Sequence, residues 1–189
     1  SELSLVANRL RISRTDLAGA GSGALLTGIT YYKLKEVIRH QEENWSWTAG
    51  IETILYQVPG QEQTPQGPTS TLPNVKLEDE KGWESALFGE INWQPWEQFS
   101  VKAGLRVNDY QYLGGRTLLE YGPDGNYDLS NVTDTLRYAS GETIQSYFTI
   151  EPRLSLRYQL SPQQSVRGGY SRTSQFVNQV FNTDTPTPQ

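Results

Sequence analysis

Phe99-Ser100-Val101-Lys102-Ala103-Gly104-Leu105-Arg106-Val107 is the stretch that decides the fold. Phe99, Val101, Ala103, Leu105 and Val107 fall on one side of an extended chain. Ser100, Lys102, Gly104 and Arg106 fall on the other, which is a period of two. At ~3.3 Å per residue this run covers about 30 Å, enough to cross the thin apolar core of an outer membrane.

The same grammar extends outward and is written twice. Residues 84–93 lead through a polar turn at 94–98 into residues 99–113. Residues 149–160 lead through Ser161-Pro162-Gln163-Gln164 into residues 165–176. Ile150, Pro152, Leu154, Leu156, Tyr158 and Leu160 oppose Glu151, Arg153, Ser155, Arg157 and Gln159. Leu87, Gly89, Ile91 and Trp93 oppose Ala86, Phe88, Glu90 and Asn92, with Phe88 breaking the polar side. Residues 45–56 alternate likewise. Residues 25–39 read as a strand with mixed faces and residues 3–14 as another, giving roughly seven strands and almost no helix signal.

The connections alternate in length. Those at 39–44, 94–98 and 161–164 are short, and those at 15–23, 59–81 and 114–142 are long. Long alternating strands with short turns at one end and long loops at the other describe an all-β, antiparallel up-and-down transmembrane barrel. A soluble sandwich has no reason to sort its loops this way. Residues 59–73, rich in Pro, Gln, Thr and Gly, are expected to be extended and mobile, and Gly122-Pro123-Asp124-Gly125 signals a turn. No domain boundary is visible.

Composition agrees. A net charge of −5 argues against a nucleic-acid partner. The chain has no cysteine, which excludes disulfides, thiolate metal sites and thiol catalysis. It has no run of 18 apolar residues, so no helical span is expected. No signal peptide is visible and there is no Met, even at position 1, so a processed product or an excised piece is expected. Trp45, Trp47, Trp93 and Trp96 lie beside the short turns, and Trp83, Tyr110, Tyr112 and Tyr147 near the long-loop ends. Two such belts fit the interfacial girdles of a barrel, although Trp and Tyr also favour strands in general.

Lys102, Arg106, Glu151, Arg153, Arg157 and Arg167 form a charged face. In a large barrel it would line the lumen; in a soluble sheet it would face water. Glu78-Asp79-Glu80 reads as a solvated loop edge, and His40, the single histidine, as a surface residue. The Gly-rich run at 18–23 lacks the Lys-Ser/Thr of a phosphate loop. Asn44-Trp45-Ser46 and Asn131-Val132-Thr133 match the glycosylation tripeptide as chance alone would provide. No carboxylate pair has a catalytic framework, so no enzyme, metal or cofactor is expected.

Residues 151–158 (Glu-Pro-Arg-Leu-Ser-Leu-Arg-Tyr), the Ser161-Pro162 turn, and residues 165–172 (Ser-Val-Arg-Gly-Gly-Tyr-Ser-Arg) resemble the barrel of TonB-dependent receptors, especially those of Bacteroidota. The hairpin at 86–113, Thr48-Ala49-Gly50-Ile51-Glu52, and Asn182-Thr183-Asp184-Thr185-Pro186-Thr187-Pro188 are similar to the same group, whereas residues 1–44 fit it more loosely. The resemblance implies a Gram-negative outer-membrane receptor that imports a scarce nutrient (iron chelate, cobalamin, glycan or peptide) with energy from the TonB complex. Its barrel of about 22 strands surrounds a plug domain. No TonB box, plug or aromatic-terminated last strand is recognised, so residues 1–189 are expected to be a partial barrel. Its partners would be outer-membrane lipid, the plug and the remaining strands.

On that reading Lys102, Arg106, Arg153 and Arg157 face the lumen, and Trp45, Trp47, Trp93 and Trp96 mark the periplasmic interface. Tyr121, Asp124, Asn126 and Tyr127 are candidate substrate contacts at the outer mouth. Two alternatives stay open. One is a self-contained eight-strand barrel acting as adhesin or anchor, its closing strand hidden in residues 1–44. The other is a soluble all-β carbohydrate-binding module, in which the apolar faces pack on one another.

Overall fold

The computed structural model describes residues 1–16, 19–123 and 128–176. The strands in chain order are β1 (Glu2–Asp16), β2 (Gly23–Gln41), β3 (Trp45–Val58), β4 (Glu62–Pro65), β5 (Val75–Lys76), β6 (Glu80–Trp96), β7 (Phe99–Leu113), β8 (Thr117–Tyr121), β9 (Val132–Arg137), β10 (Thr143–Ser161) and β11 (Gln164–Ser171). No α-helix occurs among the described residues.

The seven long strands β1, β2, β3, β6, β7, β10 and β11 pair in that order, every neighbour antiparallel, as one up-and-down meander. The sheet is curled like part of a barrel wall. These are the seven strands that the alternation predicts. β2 and β10 each have 19 residues, about 60 Å of extended chain. Crossed at a tilt of about 40°, an apolar band about 25 Å tall takes up roughly half of that, so the strands run past it.

The three short turns lie together at one end. Glu42 N donates to Trp45 O (2.8 Å) in the β2–β3 turn, and Gln94 N reaches across to Asn44 O (2.8 Å). Gln159 N donates to Gln98 O (2.8 Å), joining the other two turns. The β6–β7 register slips between Trp93 and Trp96, around Pro95, which has no N–H for the ladder.

The long connections carry structure of their own. β3 covers β2 from Thr30 to Gln41, and β4 takes over the same edge from Gly23 to Leu26. Ser22 Oγ donates to Gln66 O, and Ser70 Oγ donates to Ser22 O (2.6 Å), fastening this return to the start of β2. The loop expected to be merely extended is thus partly a strand of the main sheet. Within the last long loop, β8 and β9 form a separate two-stranded ribbon.

β11 ends at Ser171, five residues short of the expected 176. The cause is Pro152 on β10. Arg172 N donates to Pro152 O (3.1 Å), but Pro152 has no N–H to return the bond, so the ladder stops there. Residues 172–176 then turn across β10: Ser174 N donates to Glu151 Oε1 (2.7 Å), and the Phe176 ring stacks on Tyr110 at 5.4 Å.

Alternation splits the sheet into two faces. The apolar face carries Leu34, Ile51, Leu87, Leu105, Ile150 and Leu154, all exposed; Leu87 is 62% and Phe148 63% accessible. No second layer covers it among the described residues, so the packing of a soluble sandwich is absent there. Only Val37 and Ala86 are buried hydrophobics among the described residues, and both lie on the polar face. Trp45, Trp47, Trp83 and Trp93 project from the apolar face. Tyr110, Tyr112 and Tyr147 do not: they share the parity of Arg106 and lie on the polar face, which removes them from the expected second girdle.

Candidate functional site

The polar face is the candidate site, because its charged groups, unlike its apolar counterpart, are arranged around one another. Glu52 on β3 is only 7% exposed. Three cations converge on it from both sides: Lys33 Nζ at 2.5 Å, Arg106 at 2.8 Å and Lys35 Nζ at 3.9 Å. Pairing Lys35 opposite Glu52 on β3, with Ala86 on β6 and Asn108 on β7 in the same row, sets this spacing. Arg106 Nε donates to Asn108 Oδ1 (2.6 Å), and Asn108 Nδ2 donates to Thr149 Oγ1 (3.2 Å), so the network spans β2 to β10. A buried carboxylate is tolerated only when it is paired in this manner.

Phe88, which breaks the sequence pattern, has a physical place here. Its ring lies 5.1 Å from Lys35 Nζ and 5.9 Å from the Arg106 guanidinium, both within cation–π range. Gly50 opposite makes room, since a Cβ there would sit 2.6 Å from Phe88 Cζ.

Toward the long loops the charges give way to tyrosines. Asn8, Tyr31, Tyr56, Gly82, Tyr112 and Gln145 form one row across β1, β2, β3, β6, β7 and β10. Tyr31 and Tyr56 are 6.3 Å apart, and Asn8 Nδ2 donates to Tyr31 OH (3.3 Å). Tyr56 OH donates to Glu84 Oε2 (3.1 Å). Tyr110 lies 6.4 Å from Tyr147 and leans over Gly82, where a Cβ would meet its ring at 2.8 Å. Above the row, Arg116 donates to Tyr112 OH and Glu80 Oε1 (3.1 Å). Burial works against the Arg116 charge, but Tyr112 and Glu80 more than offset it and hold its pKa above the usual arginine value.

Of the charged residues expected on this face, Lys102 pairs with Glu90 (2.9 Å), Arg106 joins the central network, and Arg153 lies 3.5 Å from the 3%-exposed Glu151. Arg157 stands directly opposite Arg167, a like-charge pair that strains the sheet unless anionic or aqueous groups surround it. The interface aromatics Trp45, Trp47 and Trp93 share the apolar face, and Trp96 stacks on Phe99 at 5.6 Å. Tyr121 ends β8, apart from this site. Asp124, Asn126 and Tyr127 lie outside the described residues, as do residues 182–188.

Sequence reading passed over Lys33, Lys35 and the Tyr31–Tyr56–Tyr112 row. The signal was there: Tyr31, Lys33 and Lys35 share one parity, but Glu36 on the opposite, apolar face made that strand look mixed. Asp109 is a second acid on the apolar face, accepting from Gln111 Nε2 (2.9 Å).

A family model described as TonB dependent receptor-like, beta-barrel matches residues 7–188. No curated protein and no solved structure matches the chain.

Proposed function

The chain belongs to the TonB-dependent receptor β-barrel family, and from that premise we propose that it forms part of the wall of an outer-membrane transporter that takes up a scarce nutrient (an iron chelate, cobalamin, glycan or peptide) with TonB-supplied energy in a Gram-negative cell. The observation that carries this reading is the division of one sheet into an exposed apolar face and a polar face of paired, partly buried charges. The apolar face meets lipid. The polar face, with Lys102, Arg106, Arg153 and Arg157, lines the lumen. Trp45, Trp47, Trp93 and Trp96 mark the periplasmic interface, where the short turns gather.

β1 and β11 each have one partner strand among the described residues. Lipid cannot satisfy an open strand edge, so further strands complete the wall, and a plug domain fills the space that they enclose. An acidic surface of that plug would relieve the Arg157–Arg167 juxtaposition. Residues 1–44, where a closing strand for a small barrel was to be sought, form β1 and β2, and neither pairs with β11. The long loops cover the outer mouth, with Tyr121, Asp124, Asn126 and Tyr127 as substrate contacts. The tyrosine row beneath them supplies ring faces along the path inward.

Because this chain has no cysteine, introduced thiols in it carry probes cleanly. Spin labels at Leu87, Leu105 and Leu154 in the bilayer-inserted receptor should relax with oxygen, which partitions into lipid. Labels at Lys102 and Arg153 should respond instead to a water-soluble nickel chelate. Uniform access of the chelate to both sets would sink the reading.

A further inference from the structure

A single-layered sheet leaves its faces open, yet two groups on the polar face are closed off: Asn108 is 2% and Glu151 3% exposed. The chain itself crosses this ground. Arg106 and Glu151 form one row of β7 and β10, Asn108 and Thr149 the next, and Tyr110 and Tyr147 the third, toward the long loops. Residues 172–176 join the first row to the third. Ser174 N donates to Glu151 Oε1 (2.7 Å), and the Phe176 ring lies on Tyr110 at 5.4 Å with only 10° between the planes. The path between these anchors passes over the middle row. Tyr147 stands 6.4 Å from Tyr110 and widens the ring surface.

The charges around this spot are already balanced. Glu84, beside Tyr110, accepts from Tyr56 OH (3.1 Å) and lies 3.7 Å from Arg106, and Glu151 lies 3.5 Å from Arg153. The place therefore suits an uncharged ring. What fills it is a peptide, through a backbone N–H on a carboxylate and an aromatic side chain two residues on. The β10–β11 ladder stops at Pro152 and does not hold this segment. A charge-assisted hydrogen bond and a stacked ring pair are modest contacts, so the segment can leave while the wall stays intact.

We propose that residues 172–176 are a latch seated in a peptide-binding subsite of the polar face, and that an incoming peptide with an aromatic side chain displaces it, its N–H on Glu151 and its ring on Tyr110 and Tyr147. The inference rests on the reading that the polar face lines the lumen. The probe is acetyl-Arg-Thr-Ser-Gln-Phe-amide, a copy of residues 172–176, titrated by calorimetry into the full-length receptor in lipid nanodiscs. It should bind F176A on the order of tenfold more tightly than wild type, whose own latch competes. S174P, which lacks the N–H that reaches Glu151, should gain affinity in the same direction. The same peptide with Ala in place of its Phe should bind none of the three. 4-Fluorophenylalanine at position 176 should give a fluorine resonance displaced by the Tyr110 ring, and saturating peptide should move it to the position found in Y110L. Equal affinity in wild type, F176A and S174P overturns the latch. Equal binding of the Phe and Ala peptides by F176A overturns the ring subsite. A spin label at Lys102 separates the two levels. If it responds to the nickel chelate while the affinities stay equal, only the latch falls; a label shielded from the chelate sinks the lumen reading as well.

Discussion

Gly50 governs how the charges of the polar face are spaced, because it leaves the Phe88 ring lying between Lys35 and Arg106. In Gly50→Ala the new methyl would collide first with the Glu36 backbone carbonyl and next, at 2.6 Å, with Phe88 Cζ, so both the β2–β3 backbone and the ring must shift. A loss of roughly 1–3 kcal/mol is expected, measured as a lower urea midpoint of the bilayer-folded receptor. Arg106→Ala deletes bonds to Glu52 (2.8 Å) and Asn108 (2.6 Å) and leaves Glu52 with Lys33 as its close partner. It should cost about 2 kcal/mol. Adding Glu52→Gln should cost less than the two changes separately sum to, since they share one network; strict additivity in the unfolding series would mean that the pair is not coupled. Glu36 has the opposite sign. It lies on the apolar face opposite Ile51, where a charge is unfavourable under the proposed lipid-facing reading. Glu36→Leu should raise the same midpoint, by about 1 kcal/mol.

At the scale of the element, parity is the property that sequence carries and register is the property that it hides. Parity alone puts Lys102, Arg106, Arg153 and Arg157 on one side and Leu105 and Leu154 on the other, as the structure has them. Parity also placed Tyr110 and Tyr112 with Arg106, but nearness to a loop end suggested a girdle, and parity is the stronger constraint because the pleat enforces it at every residue. Register needs the partner strand. Nothing local to Arg172 says that it faces Pro152, so the early end of β11 was out of reach, as was the return of Glu62–Pro65 to the edge of β2. The site was therefore legible as a face, not as the Glu52-centred network, which takes side chains from β2, β3 and β7 at once. Pro152→Ala tests the register argument. It restores the missing donor, so the β10–β11 ladder should lengthen beyond Ser171. Amide exchange at residue 172 should slow and the new amide at residue 152 should be protected, while residues 164–168, near the turn, stay as they were.

At the scale of the whole molecule, the sheet has neither closure nor a covering layer among the described residues. Its interior strands β3, β6 and β7 are paired on both sides, whereas β1 and β11 each offer one unpaired row of N–H and C=O groups. Two surfaces thus demand company for different reasons: the edges for hydrogen bonds, and the apolar face, with Leu87, Leu105 and Phe148 at least half exposed, for a non-aqueous neighbour. A complete barrel in lipid satisfies both at once. The 189-residue chain by itself satisfies neither, so on dilution from denaturant into detergent-free buffer it should form multimers that grow with concentration, followed by sedimentation velocity. Detergent micelles can cover the apolar face but cannot supply strand partners. In micelles the multimers should therefore shrink without reaching a single species, and exchange should be fast along β1 and β11 and slow in β3, β6 and β7. A stable monomer in plain buffer, with β1 and β11 as protected as the interior, would count against a lipid-facing wall, because it would mean that the chain satisfies its own edges and its own apolar face.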